Sequence, residues 1–309
     1  MKYILITGGM GFIGKHTANY ILNNTDYGVI LFDNLSSSIK DDKFISNDRV
    51  EFILGDIRNL QDISKLKKYN TEYIIHLAAI VSVYESMINP ILTKSVNIDG
   101  FLNILTFAKD NNIKKMLYAS SAATYGENQN LPLKEDYCLK PISNYGLEKA
   151  SNEMYAYIYS KEYNMDLVGV RYFNVFGEGQ LSTSPYAGVI SIFLEKISKN
   201  EGVFIFGDGN QTRDFIYVKD VAKANFEILK NKGITNTVLN IGTGKSTSLL
   251  DIVEIISGCY YKKTEISFEK EREGDIKHSL SDNSLMLSHG LLCSYTVKSG
   301  LEDTIGKVK

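Results

Sequence analysis

The sequence is poor in the residues that form disulfides or bind metals. Its three cysteines, Cys138, Cys259 and Cys293, are odd in number, lie far apart and form no CxxC pair. Neither a disulfide framework nor a thiolate metal site is indicated, and a reducing cytoplasmic location is expected. The four histidines also lack metal-ligand spacing, so no metal is predicted.

An excess of one charge and long apolar runs are missing as well. The 34 Lys and Arg residues almost balance the 36 Asp and Glu residues, which leaves no basic field for nucleic acid or an anionic membrane. The apolar start at residues 3–6 meets glycines too early for a secretory signal, and no later run is long enough to span a membrane. We therefore expect no nucleic-acid partner, no membrane partner and no export signal.

What the sequence does contain is an alternation of short apolar runs with longer segments of helical length. The runs are rich in Ile, Val and Leu and predict strands at residues 3–7, 29–33, 50–54, 73–77, 115–119 and 167–172. Continuous apolar strands are typical of sheets with helices on both faces. With helical crossovers over 90–111 and 144–163, the pattern predicts an α/β fold with a Rossmann-like, doubly wound parallel sheet.

A glycine-rich turn, TGGMGFIG at residues 7–14, follows the first predicted strand and opens a helix. Missing side chains let the backbone turn tightly and approach a pyrophosphate at the positive end of the helix. Asp33 ends the second strand nineteen residues after Gly14, near the spacing at which a carboxylate reaches the adenosine ribose. The cofactor predicted is NAD, because that carboxylate disfavours the extra phosphate of NADP. Asp56 ends the third strand, where it either meets the adenine edge or caps the helix before Leu60.

The alternation weakens after about Tyr172, where a stretch at 177–184 contains Gly, Ser and Thr and strand candidates follow at 203–206 and 215–218. We predict an NAD-binding Rossmann domain over 1–172, to which elements near 213–240 return. Residues 173–309 are predicted to form mainly a smaller, mixed α/β substrate-binding portion.

Three residues suggest catalysis. Tyr145 and Lys149 lie four residues apart in a predicted helix, and Ser121 lies upstream in Ala-Ser-Ser. Positions i and i+4 share a helix face, about 6 Å apart along the axis. An ammonium beside a phenol stabilises the phenolate and lowers its pKa, so Tyr145 is expected to act as a general base.

With these features in this order, the chain resembles the extended short-chain dehydrogenase/reductase superfamily, and within it the nucleotide-sugar epimerase/dehydratase family. The match runs from Lys2 to about Ser279. Further motifs that carry it are HLAA at 76–79, Asn97, RYFNVFG at 171–177, GDG at 207–209, RDF at 213–215 and REGD at 272–275. The family's C-terminal Gly-Trp-x-Pro element is missing, and the chain has no tryptophan at all.

The resemblance implies roles for particular residues. Tyr145 is the acid/base, Lys149 binds the nicotinamide ribose and tunes the tyrosine, and Ser121 hydrogen-bonds the reacting sugar hydroxyl. The positions of the cofactor contacts, besides Tyr145 and Lys149, are Gly8, Gly11, Phe12, Ile13, Gly14, Asp33, Asn34, Asp56, Ile57, Leu77, Ala78, Ala79, Asn97 and Phe173. The positions that hold the nucleoside diphosphate are Asn174, Phe206, Arg213, Arg272 and Asp275.

The residues after Ser121 discriminate between the family's reactions. Dehydratases and decarboxylases usually carry acidic residues there, whereas this chain has Ala122 and Ala123. That difference favours a 4-epimerase, in which a 4-keto sugar turns over and takes the hydride back on its opposite face. A 4,6-dehydratase, a UDP-uronic acid 4-epimerase and a non-catalytic nucleotide sensor or scaffold are the alternatives.

Substrate choice depends by resemblance on Ser279, four residues after Asp275. In the family a tyrosine at this position narrows the sugar pocket, and a small residue leaves room for an N-acetyl group. We therefore expect interconversion of UDP-N-acetylglucosamine and UDP-N-acetylgalactosamine, with UDP-glucose and UDP-galactose as a second pair. Relatives commonly pair two long helices from each subunit, so the resemblance also predicts a homodimer through 90–111 and 144–163.

Overall fold

The computed structural model describes residues 1–180, 188–271 and 276–308. Its strands are β1 (Tyr3–Thr7), β2 (Gly28–Asp33), β3 (Val50–Leu54), β4 (Thr71–His76), β5 (Lys115–Ser121), β6 (Leu167–Tyr172), β7 (Asn174–Phe176), β8 (Val203–Phe206), β9 (Thr212–Arg213), β10 (Phe215–Tyr217), β11 (Thr237–Ile241), β12 (Thr247–Ser248) and β13 (Ile266–Glu269). Its α-helices are α1 (Phe12–Asn24), α2 (Asp42–Ile45), α3 (Leu60–Ser64), α4 (Val83–Ile88), α5 (Pro90–Lys94), α6 (Gly100–Asp110), α7 (Asn144–Tyr163), α8 (Val189–Ser198), α9 (Val218–Lys230), α10 (Leu249–Tyr260), α11 (Ser284–Ser288) and α12 (Val297–Val308). Short 3-10 helices occupy Lys65–Lys68 and Ala122–Thr124, and a π-helical turn occupies Ser95–Asp99.

Seven strands form one sheet in the order β11-β6-β5-β4-β1-β2-β3. The pairings of β1 with β2 and β4, of β2 with β3 and of β4 with β5 are parallel. From β1 the chain adds strands first on one side and then, from β4 onward, on the other, which is the doubly wound arrangement. The predicted Rossmann-like α/β fold is confirmed.

The predicted strands agree with the observed ones to within two residues at each end. The largest differences are an earlier start of β4 and a later end of β5. Val218, expected to end a strand, instead begins α9. Strand ends are the least certain part of an apolar pattern, because an apolar residue fits the first turn of a helix as well as the end of a strand.

The core of the sheet explains why its strands are apolar without alternation. All six residues of β2 and all six of β6 are buried, as expected when helices cover both faces. On one face, apolar residues of α6 pack on the strands at the helical i, i+3, i+4 spacing. The members of this core that carry the packing are Leu5, Ile30, Phe32, Ile74, Met116, Phe101, Ile104 and Leu105.

The two long crossovers form differently. The segment expected as one helix over 90–111 consists of α5, the π-turn and α6 in direct succession. The segment over 144–163 is α7, as predicted, and its N-cap residue Ser143 accepts a hydrogen bond from the Gly146 amide at 3.1 Å. Of the helices in the described part of the chain, none is long and apolar enough to cross a membrane.

Two compact units make up the described chain. The first comprises Met1–Gly126, Leu139–Arg171 and Val221–Leu239, and the second comprises Glu127–Cys138, Tyr172–Asp220 and Asn240–Lys309. The second unit contains three small two-stranded sheets, in which β7 pairs with β10, β8 with β13 and β9 with β12.

Candidate active site

The glycine-rich turn between β1 and α1 lies at the carboxyl end of the first strand. Gly8 has a φ of +66°, and a Cβ there would lie 2.8 Å from the backbone nitrogen of Ala78. Its N–H donates to the Phe32 carbonyl at 2.8 Å, which fixes the turn to β2. Gly11 is the N-cap of α1 and has no side chain to cover the first-turn amides. The positive end of α1 is therefore suited to the pyrophosphate of a dinucleotide.

The carboxylate of Asp33 holds this turn in place. Its Oδ2 accepts a hydrogen bond from the Met10 amide at 3.0 Å. Its Oδ1 accepts from the Leu35 amide at 2.8 Å and from the Ser38 hydroxyl at 2.9 Å. The residue predicted to meet the ribose is thus also the link between the ends of β1 and β2, which the sequence did not indicate.

Asp56 follows β3 and is paired within its own loop. It forms an ion pair with Arg58 at 2.7 Å and accepts a hydrogen bond from the side-chain Nδ2 of Asn34 at 3.0 Å. The hydrogen bond from Arg58 is the main cause that lowers the pKa of Asp56 to about 2, against the raising effect of burial. The N-cap of α3 is Asn59, which accepts from the Gln61 amide at 2.9 Å, so the alternative that Asp56 caps this helix is wrong.

The other cofactor positions predicted in the first unit lie on the loops and first turns that follow the strands. These are Phe12, Ile13 and Gly14 in α1, Ile57 after β3, and Leu77, Ala78 and Ala79 after β4. Open α/β sheets bind ligands outside the carboxyl ends of their strands where the strand order reverses, here between β1 and β4. Open helix amides for a pyrophosphate and a carboxylate for a ribose fit NAD.

The predicted catalytic residues come together in the same unit. The Ser121 hydroxyl, at the end of β5, accepts a hydrogen bond from the Ala123 amide at 3.1 Å and lies near enough to the phenol of Tyr145 to act on its pKa. Lys149 Nζ donates to the Ala119 carbonyl at 3.0 Å and lies 5.8 Å from the centroid of the Tyr145 ring. Tyr145 is only 8% exposed and Lys149 only 2%. The arrangement places a phenol, a hydroxyl and an ammonium in a site nearly free of bulk water.

Burial controls the protonation of this pair. Burial raises the pKa of Tyr145 to about 12, while the Ser121 hydroxyl acts in the lowering direction and the charge of Glu148 in the raising direction. It also lowers the pKa of Lys149 to about 8, against the raising effect of Glu148. Desolvation of the phenolate is thus the largest effect on the pKa of Tyr145 in the polypeptide by itself, and the lowering effect expected of Lys149 stays a prediction.

Ser86, in α4, is a site residue that the sequence did not reveal. Its fully buried Oγ accepts from the Tyr145 amide at 3.0 Å, and its carbonyl accepts from the Asn144 side chain at 2.8 Å. Gly146 allows close approach on the other side, because a Cβ there would lie 2.6 Å from the Ala123 carbonyl oxygen. The first turn of α7 is thus held from two directions. The residues near Ser86 in the sequence do not predict this role, since its partners Asn144 and Tyr145 lie far along the chain.

Asn97, a predicted cofactor residue, sits in the π-turn and joins two parts of the site. Its Oδ1 accepts from the Ile80 amide at 2.8 Å, and its Nδ2 donates to the Ile80 carbonyl at 2.9 Å. The same Nδ2 donates to Glu148 at 2.6 Å, and the Asn97 carbonyl accepts from Asn152 at 3.0 Å. The loop after β4 and helix α7 are connected through this one side chain.

In the second unit, Asp214 organises the segments that carry several predicted substrate residues. Its buried carboxylate accepts from the amide and hydroxyl of Thr243, from the Gly244 amide and from the amide and hydroxyl of Ser281. Its carbonyl accepts from the amide and side chain of Asn174 at 3.0 and 3.1 Å. The aspartate of the RDF motif, Asp214, therefore fixes both the backbone and the side chain of Asn174.

Arg213 and Ser279 lie on adjoining segments of this unit. Arg213 Nη1 donates to the carbonyls of Thr212 and Lys277 at 3.0 and 3.2 Å. The Ser279 amide donates to the Thr212 carbonyl at 3.1 Å, and its side chain is 8% exposed. The Thr212 carbonyl in β9 therefore accepts hydrogen bonds from both residues.

Phe206, at the end of β8, lines a concave pocket with Asp208, Gln211 and Lys277. Gln211 Nε2 donates to the Phe206 carbonyl at 2.6 Å. Phe173, predicted to contact the cofactor, follows β6, and its amide donates to the Ile241 carbonyl at 3.0 Å.

Two predicted substrate residues, Arg272 and Asp275, lie outside the described residues. Among the residues that are described, no group of three or more His, Cys, Asp or Glu is arranged to hold a metal ion.

The chain is similar to known proteins in sequence and in fold. The chain matches the NAD dependent epimerase/dehydratase family over residues 4–242. It is similar to a protein of Methanocaldococcus jannaschii named "Putative UDP-glucose 4-epimerase", with 39% identity over 307 residues that cover 99% of this chain and 98% of the relative.

Two solved structures extend the likeness to the fold. One is the UDP-N-acetylglucosamine 4-epimerase of Methanobrevibacter ruminantium M1 in complex with UDP-N-acetylmuramic acid, with 39% identity, a TM-score of 0.89 and coverage of 99% of this chain and 98% of that chain. The other is the UDP-glucose 4-epimerase of Thermotoga maritima with UDP-glucose, with 34% identity, a TM-score of 0.93 and the same coverage of 99% and 98%.

Proposed function

The chain belongs to the NAD-dependent epimerase/dehydratase family, and we propose on this premise that it interconverts UDP-N-acetylglucosamine and UDP-N-acetylgalactosamine. It is an NAD-dependent UDP-sugar 4-epimerase, an isomerase. UDP-glucose and UDP-galactose form the second substrate pair of the proposal.

In the proposed mechanism, Tyr145 removes the proton of the sugar 4-hydroxyl and later returns one. Ser121 donates a hydrogen bond to the reacting oxygen, and Lys149 keeps a positive charge beside the phenolate and holds the nicotinamide ribose. NAD, when bound, supplies the acceptor and donor of the hydride at the sugar's carbon 4. Removal of that hydride and of the hydroxyl proton would leave a 4-keto sugar, and its turning to present the opposite face would invert carbon 4 when both are given back. The low exposure of Tyr145 and Lys149 keeps water from this exchange.

The residues after Ser121 support epimerisation over dehydration. Ala122, Ala123 and Thr124 form the 3-10 turn that follows β5, and they bring no carboxylate next to the Ser121 hydroxyl. A dehydratase needs a group that assists loss of the 6-hydroxyl. We therefore assign the oxidation step to epimerisation.

The observation that carries the substrate proposal is Ser279. This small side chain lies on a segment whose backbone is fixed to β9, next to Arg213, the residue proposed to bind the diphosphate. A small residue there leaves room for an N-acetyl group at the sugar's second carbon, whereas a tyrosine would fill that room.

The test is incubation of the purified protein separately with UDP-N-acetylglucosamine, UDP-glucose and UDP-glucuronic acid, without added reductant, followed by proton NMR of the products. The proposal expects the 4-epimer of the acetylated sugar to form fastest, and the Tyr145→Phe protein serves as the control for background conversion. Conversion of UDP-glucuronic acid alone would replace the substrate assignment. A stable 4-keto-6-deoxy product would replace the reaction.

For the assembly, we propose that two copies of the chain pair through an apolar face on α4, α5 and α7. Both α4 and α5 pack against α7. Large side chains on these helices remain exposed, and a face of this kind on a folded protein commonly marks an interface. The residues that define the apolar face are Tyr84 (74% exposed), Met87 (58%), Ile91 (85%), Leu147 (54%), Met154 (64%) and Ile158 (50%).

A further inference from the structure

We propose that Glu148 is a positioning residue for the reaction: its buried carboxylate is the counter-charge of Lys149 and fastens the π-turn to the catalytic helix. The inference rests on the proposed epimerase mechanism for the role of Lys149. The geometry on which it stands is independent of which sugar is bound.

The carboxylate of Glu148 is enclosed and anchored. Glu148 is only 3% exposed, although acidic side chains are almost never fully buried without partners. Its Oε1 accepts from the Thr93 hydroxyl at 2.7 Å, and its Oε2 accepts from Asn97 Nδ2 at 2.6 Å. Both donors are neutral, so these bonds hold the carboxylate in place without cancelling its charge.

The charge acts on both members of the catalytic pair. Glu148 directly precedes Lys149 and lies one helical turn after Tyr145, so all three belong to the buried side of α7. Its negative charge favours the protonated form of each neighbour, and it accordingly raises the pKa of Lys149 and that of Tyr145.

Glu153, one turn after Lys149 on α7, is also buried, but its carboxylate is paired with Arg171 at 2.8 Å. In the part of the chain that the structure describes, the other elements around the pair bring no further buried carboxylate into these interactions. His76, at the end of β4, has its pKa lowered to about 3 by burial and by Lys149, and is therefore neutral at physiological pH. Ser121 and the Ala119 carbonyl face the pair from β5. Thr93 on α5 and Asn97 in the π-turn face Glu148 itself.

The carboxylate also carries a mechanical connection. Asn97 holds both the amide and the carbonyl of Ile80, in the loop that follows the proposed cofactor residues Ala78 and Ala79. Through Asn97, Glu148 therefore links that loop to the helix that carries the acid/base. A purely apolar residue at position 148 would lose the counter-charge and the link together.

Replacing Glu148 by Gln separates the effect of the negative charge from that of the hydrogen-bonded link to Asn97. Glutamine keeps the size of the side chain and one hydrogen-bond acceptor, but it removes the charge. Without that charge both Lys149 and Tyr145 release their protons more easily, so both limbs of the pH profile of turnover move to lower pH, by on the order of one unit. A residue that served only packing would lower the height of the profile and leave its position unchanged.

The experiment compares the NAD-loaded wild type with Glu148→Gln, Glu148→Asp and the control Glu162→Gln. Glu162 is exposed near the end of α7, so the control removes the same charge from the same helix far from the site. The pH profile of turnover is measured with the fastest of the three UDP-sugars. The protonation of Lys149 is followed separately by NMR of isotope-labelled lysine, with its signal assigned by its loss in Lys149→Met.

The proposal expects Glu148→Gln to titrate Lys149 at lower pH, with Glu148→Asp and Glu162→Gln close to wild type. An unchanged Lys149 titration in a folded Glu148→Gln protein overturns it. If Glu148→Gln does not fold, Glu148→Ser and the NMR comparison with Glu148→Asp decide in the same way. The NMR readout needs no turnover, so absence of epimerisation would overturn the proposed function without affecting the decision on Glu148.

Discussion

The Ser86 hydroxyl on α4 accepts a hydrogen bond at 3.0 Å from the backbone amide of Tyr145, in the first turn of α7. A second contact holds the same turn of α7, because the Cβ-free Gly146 lies against the 3-10 turn that follows Ser121. The phenol is consequently placed by backbone contacts, and its hydroxyl is the one part of the side chain on which the proposed chemistry depends.

Tyr145→Phe should therefore remove turnover while leaving the site intact. Loss of a general acid/base typically lowers the rate roughly 100- to 10,000-fold. Epimerisation is measured by proton NMR, and bound NAD is measured by absorbance after denaturation. Tyr163→Phe, at the exposed end of the same helix, is the matched control and should behave as wild type. A Tyr145→Phe protein with near-normal turnover would remove Tyr145 from the mechanism.

The depressed pKa of Lys149 predicts an alkaline limit to activity. Burial lowers this pKa to about 8, so the ammonium is present below that pH and is lost as the pH rises through it. Turnover that depends on the charge should fall over the same range. The pH dependence of kcat tests this expectation.

Lys149→Arg is the informative comparison, because a guanidinium stays charged throughout the range. Whatever turnover this variant retains should show no alkaline fall near pH 8. The same fall in both proteins would assign the limit to a different group.

Ser279→Tyr should change substrate preference more than overall activity. A bulky ring fills the space proposed for the N-acetyl group, so kcat/KM for UDP-N-acetylglucosamine should drop about tenfold or more relative to UDP-glucose. Competition assays with both sugars in one tube measure the ratio directly. Ser288→Tyr, at an exposed serine of α11, controls for the added ring. Equal losses on both sugars would count against Ser279 as the selecting residue.

The apolar face predicts a second copy of the chain as its partner. Ile91→Asp places a charge on the most exposed residue of that face and should convert a dimer to a monomer. Light scattering coupled to gel filtration gives the mass of each protein. Ile39→Asp changes an isoleucine that is 72% exposed outside this face, and it should leave the mass unchanged. A dimer mass for Ile91→Asp would place the interface elsewhere.

The sequence predicted the sheet well because most of its strands are buried on both faces, and strands of this kind consist of uninterrupted apolar residues. β6, whose six residues are all buried, has the expected bounds for this reason. The glycine turn was equally visible, since a position such as Gly8, with positive φ and a close backbone neighbour, tolerates few other residues.

Long-range contacts were less visible. Nothing near Ser86 in the chain signals that it holds the Tyr145 amide. Glu148 did leave a signal, because Tyr145, Glu148, Lys149 and Asn152 form a polar face at helical spacing on a helix that must bury one side. The rise that burial causes in the pKa of Tyr145 was not predicted, because it depends on the folded environment, which a pair of residues four apart does not reveal.

The π-turn between α5 and α6 makes the site sensitive to chain length. One extra residue in a helix rotates everything beyond it by about 100°. On one side of the turn Thr93 binds Glu148, and on the other Ile104 and Leu105 fill the sheet core. Deletion of a single residue from Ser95–Asp99 would restore a regular helix, but it would turn either the core residues or Thr93 away from their partners. Homologous chains that align without a gap here can keep the same rotation of α6 relative to α5. A gap at this point would indicate that different residues contact the catalytic helix.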